Sequence, residues 1–214
     1  IPKKARHQLE SIGVEVITNK QVTKIDENGV EYGDKRIDAS TVFWAAGVKA
    51  SPLANEIDTP KDWLGRIIVE PDCSIANHPE IFVIGDLASH QHAKNEKDLP
   101  PNNPLPGVAQ TAIQMGIHVA KCINADQSAR MRPRFIYKDL GSMATVGRSK
   151  AVADIFGIRF AGMLAWFIWL FVHLISIVGF RNRIIVLIQW FWSYLSLQRG
   201  ARLIHGKNRN QTIK

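Results

Sequence analysis

The chain has 214 residues, 46% of them hydrophobic, so it is long enough to form one large domain or parts of two. Its two cysteines, Cys73 and Cys122, lie far apart in no metal-ligand pattern, which argues against a disulfide scaffold and predicts no metal site. The formal net charge of +8 arises at the end of the chain, because no acidic residue follows Asp154 whereas eight Lys and Arg residues do. A basic tail suits nucleic acid or an anionic membrane surface, and the apolar residues between its charges favour the membrane.

The opening segment predicts a helix, a meander of short strands and one buried strand. Helical spacing over residues 3–12 ends at Gly13, a favourable residue just beyond a helix. Residues 41–46 form a compact apolar run that ends at Gly47 and predicts the buried strand. The strands predicted between them cover residues 14–18, 22–26, 28–32 and 36–38.

Further strands and a longer helix are predicted in the middle of the chain. Residues 67–69 and 81–84 are short apolar runs typical of strands, and residues 90–106 are polar and rich in proline, which indicates an irregular loop. Apolar residues at helical spacing predict a helix over residues 107–124. After Pro133, a hairpin is predicted from residues 135–137 and 142–146, with its turn at residues 139–141.

The last part of the chain is strongly apolar. Residues 161–180 contain no charged residue and are long enough for a helix that spans a bilayer. Arg181 and Arg183 interrupt the run, and a second apolar run follows at residues 184–197. The tryptophans and cations also suit two helices that lie flat in the membrane interface. A buried helical hairpin in a soluble domain is the third interpretation, and the acid-free tail argues against it.

A carboxylate follows the apolar run at residues 81–86, whose sequence is Ile-Phe-Val-Ile-Gly-Asp. At the C-terminal edge of a parallel sheet, such a carboxylate would lie in the ligand crevice. Gly85 lets the backbone approach a ligand closely, and ionised Asp86 only accepts hydrogen bonds, so it can hold sugar or ribityl hydroxyls. The alternative is an ordinary turn with a capping Asp.

Two glutamines, Gln110 and Gln114, lie four residues apart near the start of the predicted helix and therefore share one face. Their neutral amides can donate to the carbonyl oxygens of a quinone or a flavin without adding charge. The helix N-terminus also offers free N–H groups and a partial positive charge, which would favour an anionic reduced flavin. The alternative is a solvated polar face.

Together these motifs resemble the flavoproteins with two dinucleotide-binding domains. The run at residues 41–47, the Gly-Arg-Ile-Ile-Val sequence at residues 65–69 and the Gly85-Asp86 pair occur in that family's order. The Ala-Gln-x-Ala-x-Gln pattern at residues 109–114 and the segment at residues 137–153 narrow the resemblance to the type II, non-proton-pumping NADH:quinone oxidoreductases. The resemblance covers nearly the whole chain.

The resemblance implies an α/β fold: the C-terminal part of a Rossmann-like flavoprotein that binds FAD and NAD(P), followed by a helical membrane-attachment segment. It divides the chain into the end of the NAD(P)H-binding domain (1–48), the C-terminal part of the FAD-binding domain (49–133), a hairpin and linker (134–160) and the attachment region (161–214). Because Ile1 is not an initiator methionine and the Gly-rich nucleotide-binding turns are absent, we expect a C-terminal fragment that is inactive alone.

The implied activity is electron transfer from NADH through FAD to a membrane quinone in a respiratory chain, without proton pumping. The resemblance places Gly85 and Asp86 at the ribityl chain, while Gln110 and Gln114 are the quinone candidates. The residues expected at the cofactors are Ala46, Gly47, Gly85, Asp86, Ala109 and Gln110. Arg148 or Lys150 could approach a quinone carbonyl, although each is also readily explained as a solvated cation.

The expected partners are the quinone and, through residues 161–198, the lipid bilayer at the cytoplasmic face of the inner or cytoplasmic membrane. Attachment is expected to be monotopic or through a transmembrane helix at residues 161–180. No nucleic acid is expected, and a homodimer is left open. The rival functions are a sulfide:quinone oxidoreductase, another FAD/NAD(P)-linked reductase, and a non-catalytic membrane-anchored binding module.

Overall fold

A computed structural model describes residues 1–91, 104–177 and 179–196. The chain divides into two units, one formed by Ile1–Ile17 with Gly141–Lys214 and the other by Thr18–Leu140. Both units contain helices and strands, so the predicted mixed α/β class is confirmed. Most of the loop predicted at residues 90–106 and the end of the predicted attachment region lie outside the described residues.

The described helices and strands follow one another in the order predicted for most of the chain. The helices are α1 (Pro2–Glu10), α2 (Ala109–Gln127), α3 (Met163–Ser176) and α4 (Phe180–Ser196). The strands are β1 (Val22–Asp26), β2 (Gly29–Tyr32), β3 (Lys35–Asp38), β4 (Ile67–Ile68), β5 (Ser74–Ile75), β6 (His78–Phe82), β7 (Ala88–Ser89), β8 (Ser142–Gly147), β9 (Lys150–Ile155) and β10 (Ile158–Gly162).

In the unit of residues 18–140, β1, β2 and β3 form the predicted antiparallel meander. Gly29 has a φ of +148°, and a Cβ there would lie 2.1 Å from the carbonyl oxygen of Ile37, so only glycine fits the start of β2. Across the sheet, the Arg36 guanidinium binds Asp26 at 2.6 Å and Glu31 at 2.8 Å. These charge pairs connect the three strands of a sheet that has few buried residues.

The core of the same unit lies between short strand pairs and α2. β4 pairs in parallel with β7, and β5 pairs with β6 in the antiparallel sense. Ile67, Ile75 and Met115 are almost fully buried and pack in one cluster. Since Met115 is on α2 and Ile67 and Ile75 are on strands, this cluster holds the helix against the turn that follows β6.

Several predicted strands differ from the structure. Residues 14–18 and 41–46 form no strand, and Phe43 is 88% exposed rather than buried. A strand is stable only beside a partner that completes its hydrogen bonds, and no described strand pairs with residues 41–46. The strand predicted at residues 81–84 ends at Phe82 and pairs antiparallel, so it is not the parallel strand that the motif predicted.

In the other unit, β10, β9 and β8 form an antiparallel sheet in that spatial order. Ala151, Ala153 and Ala165 are fully buried, and their small side chains let α3 pack closely on β9. The hairpin predicted from residues 135–137 and 142–146 is therefore wrong, because β8 pairs with the strand that follows it. The turn after β8 determines that this strand pairs with β9, and the local hydrophobic periodicity did not predict that turn.

The apolar run at residues 161–180 does not form one helix. β10 continues to Gly162, α3 covers 14 residues, and α4 starts anew at Phe180. Within the described residues, no helix has both the length and the apolar character that crossing a membrane requires.

Candidate functional site

The site is built where the turn after β6 meets the beginning of α2. Gly85 opens this turn with a φ of +66°, and its N–H points to the sulfur of Met115 at 3.3 Å. A Cβ on Gly85 would lie 3.2 Å from the Cβ of Ala112, so the glycine allows the turn to approach α2 closely. Gly85 thus fixes the position of the next residue, Asp86, relative to the helix.

The Asp86 carboxylate faces Gly107, just before α2. A Cβ on Gly107 would lie 3.1 Å from Oδ1 of Asp86, so the glycine leaves open the space in front of the carboxylate. The Asp86 side chain is exposed and has no hydrogen-bond or ion-pair partner within the described part of the chain. It therefore remains free to accept hydrogen bonds from a ligand.

The first turn of α2 offers donors beside this acceptor. Val108 precedes the helix and its side chain caps no N–H group. Among residues 1–91, 104–177 and 179–196, no acceptor contacts the N–H groups of Ala109 and Gln110. Thr111 faces back into the protein and donates its hydroxyl to the Pro106 carbonyl at 2.9 Å. The 19-residue helix thus presents two free donors and the positive end of its dipole.

Gln110 and Gln114 have different surroundings although both are half-buried. The Gln114 amide donates to the Lys138 carbonyl at 3.0 Å and accepts from the Lys138 N–H at 2.9 Å. By contrast, the Gln110 amide has no hydrogen-bond partner in the described segments. Gln114 therefore anchors the segment at Lys138, whereas Gln110 keeps its full hydrogen-bonding capacity.

Ala46 and Gly47, predicted near the nucleotide, lie in an exposed irregular segment. Gly47 has a φ of +111°, and a Cβ built on it would meet no atom within 4 Å. The described contacts therefore bring together Gly85, Asp86 and the start of α2, but they join neither Ala46 nor Gly47 to this group.

A buried ion pair that the sequence did not reveal supports the loop entering α2. Arg66 is 8% exposed, binds Asp62 at 2.8 Å and donates to the Leu105 carbonyl at 3.4 Å. Burial alone would raise the pKa of Asp62, but hydrogen bonds from the Arg66 backbone and guanidinium outweigh it and lower the pKa. Because Leu105 lies four residues before α2, this pair positions the approach to Asp86.

Arg132 forms ion pairs that support the other end of α2. Its guanidinium binds Asp126 at 2.6 Å, Asp72 at 3.0 Å and the Pro79 carbonyl at 2.7 Å, and it lies 4.8 Å from the ring centre of Phe82. Hydrogen bonds from Arg132 lower the pKa of Asp126, and the carboxylates raise the pKa of Arg132 in return. This network connects the end of the helix to the strands that carry the site.

The cysteines lie in the core, away from solvent. Burial raises the pKa of Cys73 to about 12 and also raises the pKa of Cys122. Cys122 contacts the ring nitrogen Nε2 of buried His118 at 3.4 Å. Because the thiolate is the reactive form, these surroundings disfavour thiol chemistry at either position. No cluster of metal ligands is found in the described residues.

Comparison with known proteins decides the family. Residues 1–116 match the pyridine nucleotide-disulphide oxidoreductase family. The chain belongs to this family. Residues 140–197 match the NDH2 C-terminal domain, and the resemblance to type II NADH dehydrogenases predicted from the motifs is confirmed.

The relatives agree with this assignment. The chain is 40% identical to type II NADH:quinone oxidoreductase NdhA of Mycobacterium tuberculosis, over 94% of this chain and 43% of that protein. It is 33% identical to the mitochondrial internal alternative NAD(P)H-ubiquinone oxidoreductase A1 of Arabidopsis thaliana, over 72% of this chain and 32% of that protein. The chain thus spans less than half the length of these relatives.

A solved structure supports the fold. The structure of NDH2 from Plasmodium falciparum in complex with NADH superposes with a TM-score of 0.74 at 16% identity. The match covers 89% of this chain and 54% of that one. At this identity, the likeness establishes the fold and carries no residue roles.

Proposed function

We propose that this chain belongs to a flavin-dependent NADH:quinone oxidoreductase attached to the cytoplasmic face of a membrane, and that the start of α2 contributes to its flavin site. One observation supports the flavin site above all: the Asp86 carboxylate faces the open space at Gly107 beside the free N–H groups of α2. The activity is proposed for the full-length protein, because the chain spans less than half of its relatives.

The chemistry of this donor set fits FAD. Asp86 would accept hydrogen bonds from the ribityl hydroxyls, and the N–H groups of Ala109 and Gln110 would donate to carbonyl oxygens of the flavin ring. The positive end of α2 would stabilise negative charge that develops on that ring. When bound, FAD supplies the two-electron redox chemistry between NADH and the quinone. The residues of this chain supply orientation and electrostatics.

Gln110 is the residue we propose to contact the quinone directly. Its amide has no partner in the described residues, so it can donate to a quinone carbonyl without first breaking a bond within the protein. We propose that Gln114, already bonded to Lys138, contributes through the remaining N–H of its amide and by holding the neighbouring backbone. We also propose that Ala46 and Gly47 contact the nucleotide.

The apolar helices α3 and α4 support attachment to the membrane. Phe167, Phe171 and Phe191 are each more than half exposed, which is costly in water and favourable in the membrane interface. Cations flank these helices, and no acidic residue follows Asp154. We propose that α3 and α4 lie in the interface with their apolar faces toward the acyl chains.

The test uses the full-length protein purified with detergent or membranes. We expect a visible flavin spectrum that NADH bleaches and an added quinone restores. Replacing Asp86→Ala removes hydrogen bonds to a charged acceptor and should weaken flavin retention about tenfold or more. The matched control is Asp34→Ala, which removes the same charge from an exposed turn and should retain the flavin.

Two outcomes would contradict the proposal. A colourless full-length protein would favour a non-catalytic membrane-anchored module. Equal flavin content in the Asp86→Ala protein and its control would remove Asp86 from the cofactor site while leaving the family assignment intact.

A further inference from the structure

A groove of about 670 Å³ lies between α3 and α4, beneath the turn that joins β8 to β9. Its volume is within the range of sites that bury a small ligand. Its walls are almost entirely apolar and aromatic, and the larger contributors are Trp166, Trp169, Leu170, Leu187, Trp190 and Phe191. The rings of Trp169 and Trp190 stack with centres 5.8 Å apart, which joins the two helices at the base of the groove.

The polar residues of the groove are grouped around Tyr194. The guanidinium of Arg148 lies 4.3 Å from the centre of the Tyr194 ring, and the Ser149 hydroxyl is 2.8 Å from the tyrosine hydroxyl. The neighbouring Lys150 points elsewhere and binds the Ser11 hydroxyl. Among the described residues that line this apolar groove, Arg148 is the one permanent cation.

The charge of Arg148 is not compensated locally. No acidic residue lines the groove, and Arg148 has no carboxylate partner in the described part of the protein. The nearest acidic residue along the chain, Asp154, binds Arg159 at 3.3 Å. Stacking on Tyr194 holds the guanidinium in place but leaves its N–H groups available for an anion.

We propose that this groove binds one anionic phospholipid, with an acyl chain along the tryptophans and the phosphate at Arg148. A guanidinium matches the two oxygens of a phosphate and favours an anion over a neutral carbonyl. For this reason the groove suits a charged lipid better than the head of a quinone. The lipid would fill space between α3 and α4 that side chains leave empty.

This inference rests on the proposed attachment to a membrane but not on the redox activity. The groove would bind one lipid per protein and prefer a charged one. This specific binding would occur in addition to the general partition of the apolar helices into lipid. A bound lipid can be counted in detergent, where no bilayer is present. Flavin content and quinone reduction are measured separately, so failure of the lipid site is distinguishable from failure of the enzymatic proposal.

The experiment titrates the full-length protein in a nonionic detergent with phosphatidylglycerol or phosphatidylcholine of identical acyl chains and counts bound lipids by native mass spectrometry. We expect one tightly bound phosphatidylglycerol and about tenfold weaker phosphatidylcholine. Arg148→Gln should abolish this preference. The matched control is Arg159→Gln, which removes the same charge from an exposed pair outside the groove and should retain it.

A second variant tests the apolar part of the site without changing charge. Leu187→Trp places a larger side chain in the groove and should reduce phosphatidylglycerol binding, while circular dichroism reports whether the helices remain folded. Equal binding of the two lipids, or unchanged selectivity in Arg148→Gln, would overturn the proposal. So would displacement of the bound lipid by an equimolar short-chain quinone, because that result would make the quinone the preferred occupant.

Discussion

At the scale of single residues, Gln110 and Gln114 show that two identical side chains on one helix can have different surroundings. The Gln114 amide bonds both the N–H and the carbonyl of Lys138, as a neighbouring strand would. Gln110 has no such partner within the described chain and is therefore available to a ligand. Their common spacing predicted a shared face, whereas their surroundings predict different effects of mutation.

We expect Gln110→Leu to slow oxidation of the reduced flavin by quinone about tenfold while flavin reduction by NADH changes little, because a charge-neutral donor to quinone is lost. Gln114→Leu should instead destabilise the protein by about 1–2 kcal/mol and have a smaller effect on the quinone step, because it leaves the Lys138 backbone unpaired. Stopped-flow measurements of the two half-reactions in the full-length enzyme separate these effects. If only the NADH step slowed, Gln110 would not be a quinone residue.

Part of this site was predictable because its signals are local. Asp86 follows an apolar run and a glycine, and Gln110 follows the start of an amphipathic helix, so short motifs were sufficient to select both as candidates. Gly107 and Arg66 could not be assigned in this way. Their roles depend on contacts with Asp86 and Leu105, which lie 21 and 39 residues away and become neighbours only in the fold.

At the scale of elements, helices were predicted better than strands for a physical reason. The hydrogen bonds of α1 and α2 are made within each helix, so local periodicity was sufficient to predict them. A strand needs a partner, and the apolar run at residues 41–46 has none in the described residues. The pairing of β8 with β9 likewise depends on a turn whose sequence, Arg148-Ser149, carries no strong hairpin signal.

The turn between β9 and β10 contains a residue poorly suited to its conformation. Ile155 pairs with Ile158, so Phe156 and Gly157 form a two-residue loop with φ values of +50° and +83°. Such a loop favours Asn-Gly, and a bulky residue with positive φ is strained. Phe156 is also 76% exposed, so little packing offsets this strain.

Phe156→Asn should therefore stabilise the hairpin by about 0.5–1 kcal/mol. Hydrogen exchange at the amides of β9 and β10 in the full-length protein measures this change locally. The matched control is Phe156→Leu, which retains an apolar side chain unsuited to positive φ and should give no comparable gain. Slower exchange in both variants would show that loss of the exposed ring, rather than relief of backbone strain, is responsible.

At the scale of the whole molecule, the important feature is the unequal distribution of charge. The chain carries 27 Lys and Arg residues against 19 Asp and Glu residues, and its excess lies beyond Asp154. Lowering the pH protonates carboxylates and so makes the net charge of this positive protein still more positive. The added positive charge increases electrostatic repulsion within the protein. Asp62, Asp72 and Asp126 are among the carboxylates with lowered pKa values, and they resist protonation longer than ordinary carboxylates because hydrogen bonds, including those from arginines, favour their charged form.

Asp72 offers the clearest test of this dependence. Burial alone would raise its pKa, but hydrogen bonds from Ser74 and Arg132 outweigh burial and lower it. A lowered pKa contributes stability that is complete above the unfolded value of about 3.9 and is lost as the pH falls through the folded value. Asp72→Asn should therefore destabilise the full-length protein by about 1–2 kcal/mol at pH 7.

The difference between wild type and Asp72→Asn should narrow as the pH falls below about 4, because the wild-type carboxyl is then protonated first in the unfolded state and, at lower pH, in the folded state as well. Hydrogen exchange at the β5 and β6 amides across this pH range, corrected for intrinsic exchange rates, measures the gap. Asp34→Asn, in an exposed turn, should show no gap at any pH. A stability difference that stayed constant from pH 7 to about pH 3 would contradict this prediction. It would mean that the shape of the Asp72 side chain, rather than its charge, stabilises the contact with Arg132.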